Sequence, residues 1–240
     1  MIMLPVMDAT RSGGDLENLG GIGKYCKDVC HDGCVFSAEK TAAKIFIKAN
    51  FIRIRINMKD LKDMTLEELW QIFPIELKSH NDDYPLWYSE KAEEIGQIIG
   101  KDIFSINHIG STAVNIIAKP IIDILVEIKD GADMNNVAEK LQANGWQVMN
   151  RGRERISLNQ GYTTDGYLEK VYHLHIRKLG YNDEIYFKEY LIANPVVADE
   201  YVALKITLAK KYRNNRDAYT EAKSEFVEKY TNIAKSEFSK

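Results

Sequence analysis

Apolar residues along this chain change their spacing several times, and each change marks an element. Leu66, Leu69, Trp70 and Phe73 recur at helical intervals behind Thr65-Leu66-Glu67-Glu68, a capping box with Thr at the N-cap and Glu three positions on; Pro74 ends the run. The next stretch, H-N-D-D-Y-P-L-W-Y, reads as a loop that brings His80, Tyr84 and Trp87 close in sequence, and residues 90–99 as an amphipathic helix stopped by Gly100. An apolar run then closes with Ile106 and Ile109 and breaks at Gly110-Ser111. Ile121, Ile122, Ile124, Leu125, Val126 and Ile128 form a near-continuous aliphatic stretch, the pattern of a strand buried on both faces. Residues 134–144 predict an amphipathic helix ended by Gly145. W-Q-V-M predicts a strand, and R-I-S-L-N and V-Y-H-L-H-I-R two more, joined by the turn-rich G-Y-T-T-D-G. From Asp183 the spacing is helical: one helix to Asn194-Pro195, a second over 197–212 with Tyr201, Leu204 and Leu208 on one face, and a third over 218–234. Strands and helices in mixed order, then a helical tail, predict an α+β fold.

Composition narrows this picture. The 240 residues suffice for one sizeable domain, or for one domain with an appendage. A hydrophobic content of 45% and a charged content of 28% are those of a soluble globular protein. The net charge of −3 argues against a dedicated nucleic-acid binder, which carries a basic excess. No apolar run approaches the ~20 residues of a membrane helix. The opening M-I-M-L-P-V-M-D is too short for a signal peptide and lacks a basic start. The expectation is a cytoplasmic protein with no membrane partner.

Residues 1–57 stand apart. Their Gly-rich part suggests a P-loop, but Tyr25 follows Gly23-Lys24 where Ser or Thr is needed, and Asn18 occupies the place of the first Gly. Cys26, Cys30 and Cys34 recur every four residues beside His31, yet metal-binding cysteines usually come in closer pairs, and free thiols are the reading preferred here. Phe51 to Asn57, F-I-R-I-R-I-N, alternates like an edge strand. We read 1–57 as an N-terminal extension, with Met58 or Met64 as the natural start, and 58–240 as the main domain.

The chemistry concentrates between Asn107 and Glu127. Gly110 lets a phosphate approach the backbone closely, and Ser111 adds a hydroxyl. Asp123 interrupts the aliphatic strand, where a carboxylate is costly unless it is paired or holds a metal. Two readings stand side by side: a Gly-Ser phosphate cradle facing a metal-binding aspartate, or a turn and a strand whose acid is satisfied within the fold. His173 and His175, two apart on a strand, share a face, and His108 precedes the Gly-Ser turn and could join them.

H-I-G-S-T-A-V followed by A-K-P-I-I-D-I-L-V closely resembles the signature of the GrpB family, and the resemblance continues through H-L-H-I-R, Y-F-K-E-Y-L-I-A-N-P, Y-V-A-L-K and R-D-A-Y-T-E-A-K, over about residues 64–234. That family is grouped by fold with the nucleotidyltransferases related to DNA polymerase β. The resemblance therefore implies a nucleotidyltransferase-like mixed sheet flanked by helices. It also implies metal-dependent transfer of a nucleotidyl group from a nucleoside triphosphate to an unknown acceptor. In that pattern Gly110, Ser111 and Thr112 form the phosphate cradle, and Lys119, Arg177, Lys205 and Lys223, all within matching stretches, bind substrate. Asp123 and His175 are the catalytic candidates, and Asp123, His173 and His175 the candidates for a divalent metal, Mg or Mn. The sequence departs from the superfamily at Leu125, where a second acid belongs. Glu127 lies on the same strand face as Asp123 but ~13 Å away, too far to share one metal. The alternative is thus a catalytically reduced protein of the same fold that binds a nucleotide or another phosphorylated small molecule.

Overall fold

The computed structural model describes residues 59–238. The Gly-rich segment, the cysteine stripe and the strand expected over 51–57 lie outside the described residues.

The chain first forms α1 (Leu66–Ile72). Its capping box is complete: Thr65 Oγ1 accepts from the Glu68 amide at 3.2 Å, and the Thr65 amide donates to Glu68 Oε2 at 2.8 Å. Then comes α2 (Tyr84–Ile99), longer than expected by two turns. The stretch read as a loop enters this helix because Pro85 sits in its first turn, where a missing N–H costs nothing. Next are β1 (Ile103–Ile109), β2 (Ile122–Ile128), α3 (Met134–Ala143), β3 (Gln147–Arg151), β4 (Arg155–Thr163) and β5 (Gly166–Lys178). The tail is α4 (Asp183–Ala193), α5 (Pro195–Lys211), α6 (Arg216–Glu221) and α7 (Ser224–Phe238). The single helix expected over 218–234 is thus two, separated by a tightened turn in which the Lys223 amide donates to Thr220 O.

The strands form one mixed five-stranded sheet in the order β1-β2-β5-β4-β3. β2 and β5 run parallel at its centre, and the other pairs are antiparallel. The α+β class expected from the pattern is the one observed. Strand alternation gives the sheet two unlike faces. One carries Ile122, Ile124, Val126, Ile156, Leu158, Leu174 and Ile176, all buried against Ile95, Ile99, Val137 and Leu141 of α2 and α3. Each such side chain contributes about 1.5–3 kcal/mol on leaving water, so this layer anchors the sheet. The opposite face carries Asp123, Leu125 and Glu127 of β2 beside His173, His175 and Arg177 of β5. A second cluster, built by Phe187, Tyr190, Leu191, Ala198, Tyr201 and Tyr230 from α4, α5 and α7, includes Val114 and so grips the segment just after the Gly-Ser turn.

Strand β4 holds one irregularity of consequence. The β4–β5 register shifts between Gln160 and Tyr162. The intervening Gly161 has φ +94, and a Cβ there would lie 2.5 Å from the Lys170 carbonyl oxygen. Only glycine fits this bulge. The extra residue turns the Tyr162 side chain towards β5, where its hydroxyl meets His173.

Candidate functional site

The polar face of the sheet gathers the site. The register sets Asp123 beside His173, and Leu125 beside His175, across the parallel β2–β5 pair. His173 Nδ1 lies 3.1 Å and His175 Nε2 3.7 Å from the same oxygen, Asp123 Oδ1. All three side chains remain about a quarter exposed (21–27%), so solvent and ligands reach them. Burial alone would raise the Asp123 pKa, but the hydrogen bonds and charge of the two histidines outweigh it and hold the carboxyl well below the ordinary range.

A chain of hydrogen bonds fixes the histidines. Arg216 Nη2 donates to the Tyr162 hydroxyl at 3.0 Å, and that hydroxyl lies 2.7 Å from His173 Nε2. Having accepted from Arg216, the phenol is free to donate to Nε2, which leaves the ring proton on Nδ1, facing Asp123. Burial favours the neutral ring, because it pushes the His173 pKa down against the pull of Asp123. At His175, Nδ1 faces Ser157 Oγ and Arg177 Nη2, both at 3.5 Å. A guanidinium only donates, so Nδ1 accepts and Nε2 points its N–H at Asp123.

Across Asp123 from the histidines stands the Gly-Ser turn. Ile109 pairs with Asp123, so Gly110 follows directly alongside. Gly110 has φ +70, and a Cβ there would lie 2.4 Å from Asp123 Oδ2. The bare backbone of residue 110 therefore touches the free carboxylate oxygen. Ser111–Ala113 form a 3-10 turn. Lys205, 2% exposed, donates to Ser111 Oγ at 3.0 Å and to the Ile117 carbonyl, with its ammonium 4.8 Å from the Tyr201 ring centre. Lys119 and Lys223 both lie over the Tyr219 ring, at 5.8 and 4.3 Å. Among the described residues none of these three lysines forms an ion pair. Burial, helped by Lys223, depresses Lys205 to about 7. Burial with Arg216 and Lys223 takes Lys119 to about 7, and burial takes Lys223 to about 8 against the attraction of Asp123.

Other expected residues have work within the fold. Thr112, 1% exposed, donates to the Ile121 carbonyl at 3.0 Å and meets His108 Nε2 at 3.1 Å. His108 does not join the other histidines. It pairs with Ile124 and so faces the opposite side of the sheet, stacked on Tyr88 at 4.9 Å, where burial takes its pKa to about 4. Arg177, 7% exposed, spends its charge on Glu184 at 2.7 Å. Glu127 accepts from Ser105 Oγ, the Gly180 amide and Asn182 Nδ2 at 2.8–3.2 Å, a fully occupied buried acid. Leu125, where the resemblance led one to look for a second acid, is fully buried. Tyr162 and Arg216 were not anticipated. The one available signal was the isolated Gly161 inside a strand pattern, a mark of a bulge.

One ligand atom from each of Asp123, His173 and His175 can be chosen so that all lie within 4.8 Å of one another. A single divalent ion fits such a set. With one carboxylate and two imidazoles the donors suit Mn²⁺ or Zn²⁺ better than Mg²⁺, and His173 would shift its ring proton to Nε2 to bind.

A family model described as GrpB protein matches residues 74–232. The glutamate-rich protein GrpB of Alkalihalophilus pseudofirmus is 35% identical over 65% of this chain and 93% of its own length. The UPF0157 protein YqkA of Bacillus subtilis is 28% identical over 78% of this chain, and the chain spans only 55% of the length of that relative. Among solved structures, conserved protein GrpB from Enterococcus faecalis superposes with a TM-score of 0.60 at 25% identity, over 69% of this chain and 100% of that one. The Cid1 poly(U) polymerase, solved with MgGTP, aligns more loosely: a TM-score of 0.39 at 14% identity, over 61% of this chain and 46% of that one. No helix among the described residues is long and apolar enough to cross a membrane.

Proposed function

The chain belongs to the GrpB family, and from that premise we propose that it is a metal-assisted, nucleotidyltransferase-like protein that binds a nucleoside triphosphate and passes its nucleotidyl group to an acceptor. One observation carries the reading: the bare backbone of Gly110 against the Asp123 carboxylate, with Lys205 on Ser111 and Lys119 and Lys223 over Tyr219, none of the three in a salt bridge among the described residues. Lysines without salt-bridge partners among the described residues, Lys205 buried and Lys119 and Lys223 half-buried, favour a ligand bearing several negative charges, and a triphosphate supplies them. Lys205 and Ser111 would meet phosphate oxygens at the turn, and Lys119 and Lys223 would close over them. Asp123 with His175 and His173 would hold a divalent ion. Such an ion would supply positive charge that offsets charge developing on the phosphate oxygens. The residues around it orient the triphosphate, and the Arg216–Tyr162–His173 chain keeps Asp123 ionised and aimed.

A second reading has its own support. Leu125 lies buried at the place of a second metal-holding acid, and Glu127 is consumed by three hydrogen bonds. A protein so built could bind a nucleotide or another phosphorylated small molecule without transferring anything.

The test is a thermal-shift series on the full chain with ATP, GTP, CTP and UTP, each with Mg²⁺, Mn²⁺ or EDTA, in wild type and Asp123→Asn. Ligand at ~100 times its dissociation constant adds about 2.7 kcal/mol. A metal-dependent shift that disappears in Asp123→Asn supports the first reading. A shift indifferent to metal and to that substitution supports the second. No shift with any triphosphate refutes both.

A further inference from the structure

The turn from β3 into β4 reads Arg151-Gly152-Arg153-Glu154-Arg155. One of these arginines serves the fold: Arg151 donates to Asn135 Oδ1 at 3.0 Å and to Gln142 Oε1 at 2.8 Å, both on α3. Arg153 and Arg155 are different. Both are exposed, and neither side chain has a hydrogen-bond or ion-pair partner among the described residues. They border a cleft of about 610 Å³ that Arg177, Asp183, Glu184 and Lys235 also line. The acids of that cleft already have cations. Glu184 pairs with Arg177 at 2.7 Å, Asp183 with Lys235 at 2.5 Å, and Glu154 with Lys178 at 3.8 Å. The charge of Arg153 and Arg155 is what remains over.

The register sharpens this surplus. Arg155 stands directly opposite Arg177 across the antiparallel β4–β5 pair. Like charges so placed repel, and Glu184 answers only the buried Arg177, which is 7% exposed. An anion beside Arg155 would relieve the pair.

The same register ties the cleft to Asp123. Three rows cross the polar face of the sheet: Asp123, His173 and Asn159; then Leu125, His175 and Ser157; then Glu127, Arg177 and Arg155. The last row lies about 13 Å from the first along the strands. His175 and Ser157, between them, are partly exposed. The Gly-Ser turn lies on the β1 side of Asp123 and the arginines on the β4 side, so an anion in the cleft leaves the phosphate cradle free.

We propose that this cleft is a subsite for the phosphate or carboxylate group of a second ligand, held by Arg153 and Arg155. A guanidinium presents paired N–H groups that match two oxygens of either anion. A ligand anchored there can extend over Ser157 and His175 towards Asp123. To call that ligand the acceptor rests on the transfer reading above; the binding of its anionic group does not.

The experiment uses the full chain, labelled with 15N-arginine, in EDTA. Sodium phosphate, sodium acetate and sodium chloride are titrated at matched ionic strength. The Nε–H signals of Arg153 and Arg155 are assigned by their loss in Arg153→Gln and Arg155→Gln. Both should move saturably with phosphate or with acetate and not with chloride; the anion that moves them names the group the cleft takes. Arg153→Gln should weaken the binding seen at Arg155, and Arg155→Gln that seen at Arg153, about tenfold or more, the loss of a charge-assisted hydrogen bond. An unchanged melting temperature checks that these exposed substitutions leave the fold intact. A response no different from that to chloride overturns the proposal, as does binding that survives both substitutions. The thermal shift with ATP and Mn²⁺ is measured on the same proteins. Its persistence in the doubly substituted chain supports two separate sites. Its loss there means that the arginines hold the triphosphate itself, and the second-ligand proposal falls. If ATP binds and neither anion does, only the cleft proposal falls. If an anion binds and ATP does not, the triphosphate reading falls and the cleft stands.

Discussion

Replacing Lys205 by Met should make the protein more stable at neutral pH and less able to hold a triphosphate. Methionine keeps most of the aliphatic stem and removes the ammonium. Lys205 is 2% exposed, without an ion-pair partner among the described residues, and its pKa is held at about 7 against an ordinary 10.5. At about 1.4 kcal/mol per tenfold change, and with the folded ammonium half titrated at pH 7, that displacement corresponds to an unfavourable contribution of about 4 kcal/mol there. Against it stand the bonds to Ser111 Oγ and the Ile117 carbonyl, whose loss leaves polar atoms unpaired and costs about 1–3 kcal/mol. The difference is a net gain of about 1–3 kcal/mol. At roughly 2–4 °C per kcal/mol for a domain of this size, the melting temperature should rise by several degrees. The sign with pH follows from linkage. Between about 7 and 10.5 the unfolded lysine binds more protons than the folded one, so wild-type stability rises with pH across that window. The advantage of Lys205→Met should therefore shrink as pH rises and reverse towards pH 10, where only the lost hydrogen bonds remain. The assay is thermal or urea unfolding of both proteins at several pH values, paired with the ATP thermal shift. A destabilised variant at pH 7, or a difference that does not change with pH, would refute the argument.

Three further outcomes are expected. Gly161→Ala forces a Cβ to 2.5 Å from the Lys170 carbonyl oxygen at φ +94, so it should cost more than about 2 kcal/mol in denaturant titrations. Tyr162→Phe removes the hydroxyl that faces His173 Nε2; the protonated ring loses a competitor at that nitrogen, and NMR titration should show the His173 pKa rising. Glu127→Gln substitutes a donor for one of two oxygens that only accept, and should cost about 1–3 kcal/mol in urea while metal-dependent nucleotide binding persists, which separates this acid from Asp123.

What the sequence disclosed follows from what is local. The Thr65 capping box and the aliphatic strand around Asp123 depend on neighbours within a few positions, and both are present as expected. So are the His173 and His175 pair, because strand alternation alone puts them on one face. The start of α2 was misread because Pro85 signals a loop and a first helical turn equally well. The division of the tail at Lys223 carries no Gly or Pro to announce it. Tyr162 was out of reach for a different reason. Its direction is set by a one-residue register shift against β5, and counting in twos along β4 sends it to the wrong face. Arg216 joins it from a separate helix, a meeting decided by tertiary packing. His108, next to the Gly-Ser turn in sequence, is parted from Asp123 by the pleat.

The parallel pairing of β2 with β5 also bears on how the site comes into being. Asp123 and His173 are 50 positions apart, and the intervening chain must form α3, β3 and β4 before the two can meet. A parallel pair cannot be closed by a tight hairpin, and distant contacts of this kind form late because loop-closure entropy opposes them. An early folding intermediate therefore has no complete aspartate–histidine set to offer an ion. Metal should do little to the folding rate and should chiefly slow unfolding, so that an occupied site prolongs the life of the native protein.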